Sequence, residues 1–270
     1  MKALYLKELR SFLGSMIGYI FIAIFLILNS LFLWVFSYET NILDGGTADL
    51  KSFFGISPII FIILIPAITM RSFSEEKRTG TIELLFTKPI SDLSIILTKF
   101  FAGVTLVIIS ILPTLIYYFT VHQLGDPVGI VDDGATITSY FGLILIGACL
   151  VSVGIFASSI TNSQIVAFII SMFLSWFLFL GLDLLAVYSQ LGGLDLVLRN
   201  LGMMEHYTSC QKGVIDTRDI FYFLSFIFVF ILSTKLVLQS RKWQKHPKIA
   251  HNTLHGVLKK TSGCMRQPLP

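Results

Sequence analysis

A chain that repeats long apolar runs with almost no Asp, Glu, Lys or Arg has few ways to fold. Here the runs fall at about 15–37, 52–70, 100–121, 139–161, 164–188 and 220–240, with Asp183 near the end of the fifth and Lys235 in the sixth as exceptions. About 20 residues rising 1.5 Å each cross the ~30 Å of hydrocarbon in a bilayer. Hydrophobic residues make up 54% of the chain and charged residues 13%, too little polar surface to coat a soluble fold. Mean hydropathy is +0.80. The reading is an all-α membrane protein with six transmembrane helices. Lys235 can snorkel to the interface and let the sixth run finish its crossing. Pro58, Pro66 and Pro113 interrupt the second and third runs, so kinks are expected there.

Charge in the connections sets the direction. Lys2, Lys7 and Arg10 precede the first span; Arg71, Lys77, Arg78, Lys88 and Lys99 lie between the second and third; Arg241, Lys242, Lys245 and Lys248 open the tail. The 122–138 connection has Asp126, Asp132 and Asp133 and no Lys or Arg, and 38–51 sets Glu39, Asp44 and Asp49 against Lys51. Basic segments stay in the cytoplasm, so both ends are expected inside. Arg199, Lys212 and Arg218 in the outer 189–219 segment are a mild exception. The net charge of +4 therefore reads as a topology signal and argues against a nucleic-acid partner. The first apolar run exceeds a signal-peptide core and no small-residue cleavage pattern follows it, so an uncleaved span is expected. The organisation is an amphipathic helix over 1–14, a six-helix membrane domain over 15–240 and a basic cytoplasmic tail over 241–270. Leu191, Leu194, Leu196, Leu198 and Leu201, broken by Gly192, Gly193 and Gly202, suit short re-entrant helices on the outer side.

Several chemistries lack their residues. The dipeptide Gly-Lys of a phosphate-binding loop, a His-Glu-x-x-His pair and a Gly-x-Ser-x-Gly elbow are all absent from the sequence. His251 and His255 have ligand spacing but lie in the basic tail. Cys149, Cys210 and Cys264, expected in a membrane helix, an outer loop and the tail, make no disulfide or metal pattern. Spans one to five carry no acidic or basic group across their centres, unlike ion-coupled carriers. No enzymatic activity is expected, and any energy source should be a partner.

The connection between the second and third spans carries the most information. Gly80 and Pro89 bracket about two helical turns in which Ile82, Leu85 and Phe86 share one face, with Glu83 and Thr87 on another. Ser91-Asp92 offers an N-cap for the helix that follows. In the N-terminal helix Tyr5, Leu9, Phe12 and Leu13 share a face opposite Lys7, Arg10 and Ser11, as in a helix lying along the inner leaflet.

The order Glu75-Glu76-Lys77-Arg78-Thr79-Gly80-Thr81-Ile82-Glu83-Leu84-Leu85, followed by Pro89, resembles the cytoplasmic signature of ABC-2 type transporter permeases. The N-terminal helix resembles that family's connecting helix. His206-Tyr207-Thr208-Ser209, then Lys212-Gly213-Val214-Ile215-Asp216 and Asp219, resemble its outer re-entrant stretch before the last span. The resemblance reaches to about residue 240, and within the family the chain is most similar to the gliding-motility-associated permeases of Bacteroidetes. It implies a type V exporter-like fold in the bacterial inner membrane. It also implies a coupling helix that docks on a separate cytoplasmic ATPase, which binds the ATP, so that this chain holds no cofactor. A second permease subunit is implied too, either a copy of this chain or a related membrane protein with a large extracytoplasmic domain. Glu75, Glu76, Gly80, Thr81, Glu83, Leu84, Leu85 and Pro89 would serve ATPase coupling, with the three glutamates pairing with basic groups of the ATPase or remaining solvated. Tyr5, Leu9, Phe12 and Leu13 would form the connecting helix, and His206, Gly213 and Asp216 would belong to the outer segment.

Gly142, Gly147 and Gly154 with Ala148 and Ser158 read as a helix-packing stripe in the fourth span. Phe173, Trp176, Phe177 and Phe179 read as lipid-facing or packing aromatics. Two other classes fit the same composition: a membrane scaffold in a motility or secretion machine, and a lone ion-coupled carrier.

Overall fold

The computed structural model describes residues 2–36, 41–42, 49–82, 91–125, 131–188, 194–214 and 216–264, with backbone alone at 188, 194–196 and 241–264. Among the described residues the regular elements are all helices. Helix α1 (Lys2–Leu13) precedes the first span, Met16–Val35, which is α2 (Met16–Ser30) followed by a π-turn at Leu31–Val35. The second span is α3 (Lys51–Thr69); the chain turns at Met70 and continues as α4 (Arg71–Arg78). Span three comprises α5 (Asp92–Ile111), a 3-10 turn at Leu112–Thr114 and α6 (Leu115–Leu124). Span four is one helix, α7 (Asp133–Ile160). Span five is α8 (Gln164–Trp176), a π-turn at Phe177–Gly181 and α9 (Leu182–Tyr188). The short α10 (Leu194–Leu201) and α11 (Met203–Gln211) follow, and α12 (Thr217–Cys264) begins as the sixth span. Among the described residues six stretches are thus long and apolar enough to cross a bilayer.

Local chemistry accounts for the boundaries. Ser91 Oγ accepts from Ser94 N–H at 3.3 Å and Asp132 Oδ1 from Ala135 N–H at 3.1 Å, capping α5 and α7. Pro113 has no N–H to give the ladder, and span three tightens to the 3-10 turn there. Pro58 and Pro66 remain inside α3.

Span four is the axis of the bundle. Within its apolar window 78% of residues are buried, against 28% for spans one and five and 17% for span six. It packs on α3, α5, α8, α11 and α12. Its small residues allow this approach: a Cβ on Gly147 would stand 2.7 Å from Val107 Cγ1, and one on Gly154 would fall on the Thr69 side chain. Span three reciprocates, since a Cβ on Gly103 would lie 2.8 Å from Val151 Cγ1. Polar groups join the remaining spans. Ser57 Oγ donates to Asn29 Oδ1 at 2.9 Å, Asn29 Nδ2 donates to Phe25 O at 2.8 Å, and Ser30 Oγ and Tyr117 OH lie 2.7 Å apart. Such bonds hold helices together where lipid offers none. Ile165, Ile169, Phe173 and Trp176 of span five and Phe221 and Phe228 of span six are exposed, a surface suited to hydrocarbon. Phe179 is buried, so the span-five aromatics divide between the two roles.

Because the spans alternate, α1, α4 and the end of span six gather at one end of the bundle. The α10–α11 pair and the start of span six lie at the other.

Candidate functional site

The α4 end is held by two side chains from other helices, Ser158 of span four and Lys99 of α5. Where α3 gives way to α4, the turn at Met70 leaves backbone groups to be satisfied. Ser158 Oγ of span four accepts from Phe73 N–H at 2.9 Å and Ser74 N–H at 3.1 Å and donates to Met70 O at 2.9 Å. One hydroxyl thus uses its donor and both lone pairs. Ser74 Oγ also donates to Met70 O, and Lys77 Nζ donates to Ser159 O. The break in span two is pinned to span four. Ser158→Ala strands two fully buried N–H groups and should cost about 1–3 kcal/mol, read as a lower thermal midpoint of the detergent-purified protein, while Ser159→Ala should change little.

Lys99 lies on α5 with only 4% of its side chain exposed. Its Nζ stands 2.7 Å from Glu76 Oε1 on α4, 3.4 Å from Glu8 Oε1 on α1 and 5.1 Å from the centroid of the Phe73 ring. An ammonium cannot lie so deep without counter-charges, and it finds two on two different helices. Tyr5 OH and Thr105 Oγ1, 2.7 Å apart, tie α1 to α5 a second time. A cavity of about 240 Å³ opens between α1 and α4, lined by Lys7, Glu8, Arg71, Glu75 and Glu76 among others.

The other predicted residues of this end sort around that knot. Glu75 lines the cavity. Glu76, read from the sequence as an ATPase contact or a solvated charge, is spent on Lys99 inside the chain. Gly80 takes φ +73, the left-handed stop that glycine permits after a helix, and Gly80 N–H donates to Lys77 O at 3.3 Å. Thr81 Oγ1 turns back to Thr79 Oγ1 at 2.9 Å and Glu76 O at 3.4 Å. Glu83, Leu84, Leu85 and Pro89 lie outside the described residues. In α1, Phe12 and Leu13 pack on the hydrophobic core and Leu9 is half-buried, so α1 is seated on the bundle.

At the far end α11 is held from several sides. Tyr207 OH donates to Phe54 O of span two at 2.7 Å, and Thr138 Oγ1 of span four to Cys210 O at 2.8 Å. His206 Nδ1 stands 2.7 Å from Asp219 Oδ1 of span six and its Nε2 3.0 Å from Asn200 O. The His206 ring stacks on Tyr222 at 4.0 Å, and Tyr222 OH donates to Leu201 O at 2.6 Å. Gly213 takes φ +82 and lies against Ala135, and Asp216 accepts the N–H groups of Arg218 and Asp219 at the start of α12. Cys210, expected in a loop, sits buried in helix α11 because Gly142 leaves room for it.

Lys99, Glu8, Ser158 and Tyr207 escaped the sequence reading as site residues. Lys99 had one signal: it follows Ile95 and Ile96 and precedes Ala102 and Gly103 at helical spacing, on the face of α5 that is otherwise buried. Ser158 was marked only as one of the small residues of span four and Tyr207 only as part of the outer stretch, and Glu8 carries no local mark.

The family model described as ABC-2 family transporter protein matches residues 3–239. A search among curated proteins finds no match.

Proposed function

Given that this chain belongs to the ABC-2 family of transporter membrane proteins, we propose that it is the permease subunit of an ATP-binding-cassette transporter, driven through its α4 end by a cytoplasmic ATPase. One observation carries the proposal: Lys99 binds α1, α4 and span three into a single block through Glu8 and Glu76. A push on α4 would therefore reach span two along the chain, span three through Lys99 and span four through Ser158. The ATPase supplies nucleotide chemistry, and this chain supplies a movable pathway.

Supporting its direction, the connections near α4 are rich in Lys and Arg and those near α11 are acidic, as expected if the α4 end faces the cytoplasm of a bacterial inner membrane. Only 28% of the residues in the apolar windows of spans one and five are buried, which suits a second membrane subunit, a copy or a related chain, meeting this one along a transport path. Glu75 and the segment through Pro89 are the contacts we assign to the ATPase. The resemblance to gliding-motility-associated permeases favours a motility system, in which deletion of this chain should stop surface spreading.

Purification of the tagged chain from native membranes tests the reading. An ATP-binding-cassette protein should co-elute, and a cysteine at Glu75 should react with maleimide only in inside-out vesicles. Intact complexes without such a protein, or labelling of that cysteine from outside, would remove the basis for coupling.

A further inference from the structure

A proline inside a helix leaves one carbonyl without its donor, the one four residues earlier. For Pro58 that carbonyl belongs to Phe54, which is 3% exposed and out of reach of bulk water. The donor comes from 153 positions along the chain: Tyr207 OH, at 2.7 Å. Tyr207 is itself 2% exposed, and its ring lies 6.4 Å from that of Phe179 in span five. With Thr138 and Asp219 holding its neighbours, α11 is a keystone set among spans two, four, five and six.

The placement on span two is what gives this bond a consequence. At Pro58, as at Pro66, the helix can bend without breaking a ladder bond of its own, so the proline is a soft point of the span. The other end of the same span runs through Met70 into α4. We propose that Tyr207 is a positioning residue, its hydroxyl latching α11 onto the Phe54 carbonyl that Pro58 frees in span two until movement of α4 releases it. The release half of this proposal rests on the coupling reading above; the latch half does not.

Cys210 provides a native reporter. It lies one helical turn beyond Tyr207, is 2% exposed and packs against Gly142. Burial, with Asp219 nearby, pushes its thiol up from the ordinary cysteine range, so little thiolate is present while α11 is seated. Lifting α11 would both expose and acidify it.

The experiment uses membrane-impermeant maleimide on intact cells carrying the full chain with Cys264→Ser. Labelling of Cys210 should be slow, and about tenfold faster in Tyr207→Phe, the population change that losing one buried hydrogen bond allows. Tyr207→Phe keeps the ring and its packing. Pro58→Ala restores an N–H for the Phe54 carbonyl, so the double variant Tyr207→Phe/Pro58→Ala no longer strands that carbonyl and should recover part of the slow labelling, short of the contribution of the lost bond itself. A structural role for the ring alone would show no such rescue. If Tyr207→Phe labels like the parent, or Pro58→Ala fails to rescue it, the latch is overturned while the coupling reading stands. Should Tyr207→Phe not accumulate in the membrane, recovery of the double variant supports the latch and its absence overturns it. With the ATPase co-purified, trapping by ATP and vanadate should speed labelling of the parent; an unchanged rate with a working latch overturns release and counts against coupling.

Discussion

Lys99→Met should destabilise the protein and, if α4 couples to an ATPase as proposed, weaken that coupling at the same time. The substitution keeps the length and apolar stem of the side chain but removes the one cation between Glu8 and Glu76, leaving two carboxylates to share a poorly solvated site. Breaking a buried ion pair by deleting one partner costs about 3–5 kcal/mol. The low end applies here, because Glu8 and Glu76 keep 13% and 20% of their side chains exposed. Glu76→Gln, at the 2.7 Å contact, should weaken the protein more than Glu8→Gln at 3.4 Å. The double variant Lys99→Met/Glu76→Gln should recover part of the loss, since it removes a stranded charge. Thermal midpoints in detergent read the stability effect. ATP hydrolysis by the complex with the proposed ATPase reads the mechanical one, and should fall in Lys99→Met relative to the parent. A Lys99→Met protein with parental midpoint and parental coupling would mean that the three helices are joined by other means.

Gly154→Ala should be among the most damaging single methyls in the bundle. Its Cβ would overlap Thr69 Oγ1 and stand 2.7 Å from Thr69 Cβ. Thr69 cannot yield: it is fully buried and its Oγ1 donates to Ile65 O at 2.9 Å. Over-packing a core costs about 1–3 kcal/mol, and a clash against a fixed hydroxyl lies at the upper end, so the yield of folded protein from membranes should fall sharply. Adding Thr69→Ala removes the hydroxyl but leaves Cβ in place, so recovery should be partial. By contrast Gly55, whose Cβ would meet nothing within 4 Å, should accept alanine with little change. Equal yields for Gly154→Ala and Gly55→Ala would show that span four is less tightly seated than its burial indicates.

The six spans were legible because apolar length is a property of consecutive residues. The bilayer, not a partner segment, imposes it. Gly80 was legible for a related reason: a glycine acts on its own backbone, and here it takes φ +73 at the end of α4; most of the helix expected between it and Pro89 lies outside the described residues. The small residues of span four announced close packing, though not which neighbour each would touch. Beyond that range the pattern is silent. Span two had no visible reason to continue past Met70 as α4, since Arg71 to Arg78 is strongly polar; it stays helical because Ser158 caps it from a distance of 85 positions. Lys99 looked like one more basic residue in a connection until the fold brought Glu8 across 91 positions to meet it.

What the amino-acid order determined alone, then, was the solvent, the number of crossings and the family. Those depend on hydropathy, charge and backbone conformation, all of which are local. The tertiary structure decided which buried polar group answers which: Lys99 with Glu8 and Glu76, Ser158 with the break at Met70, Tyr207 with the carbonyl that Pro58 frees. A group buried away from water must find its partner in space, and chain distance says nothing about where that partner will be.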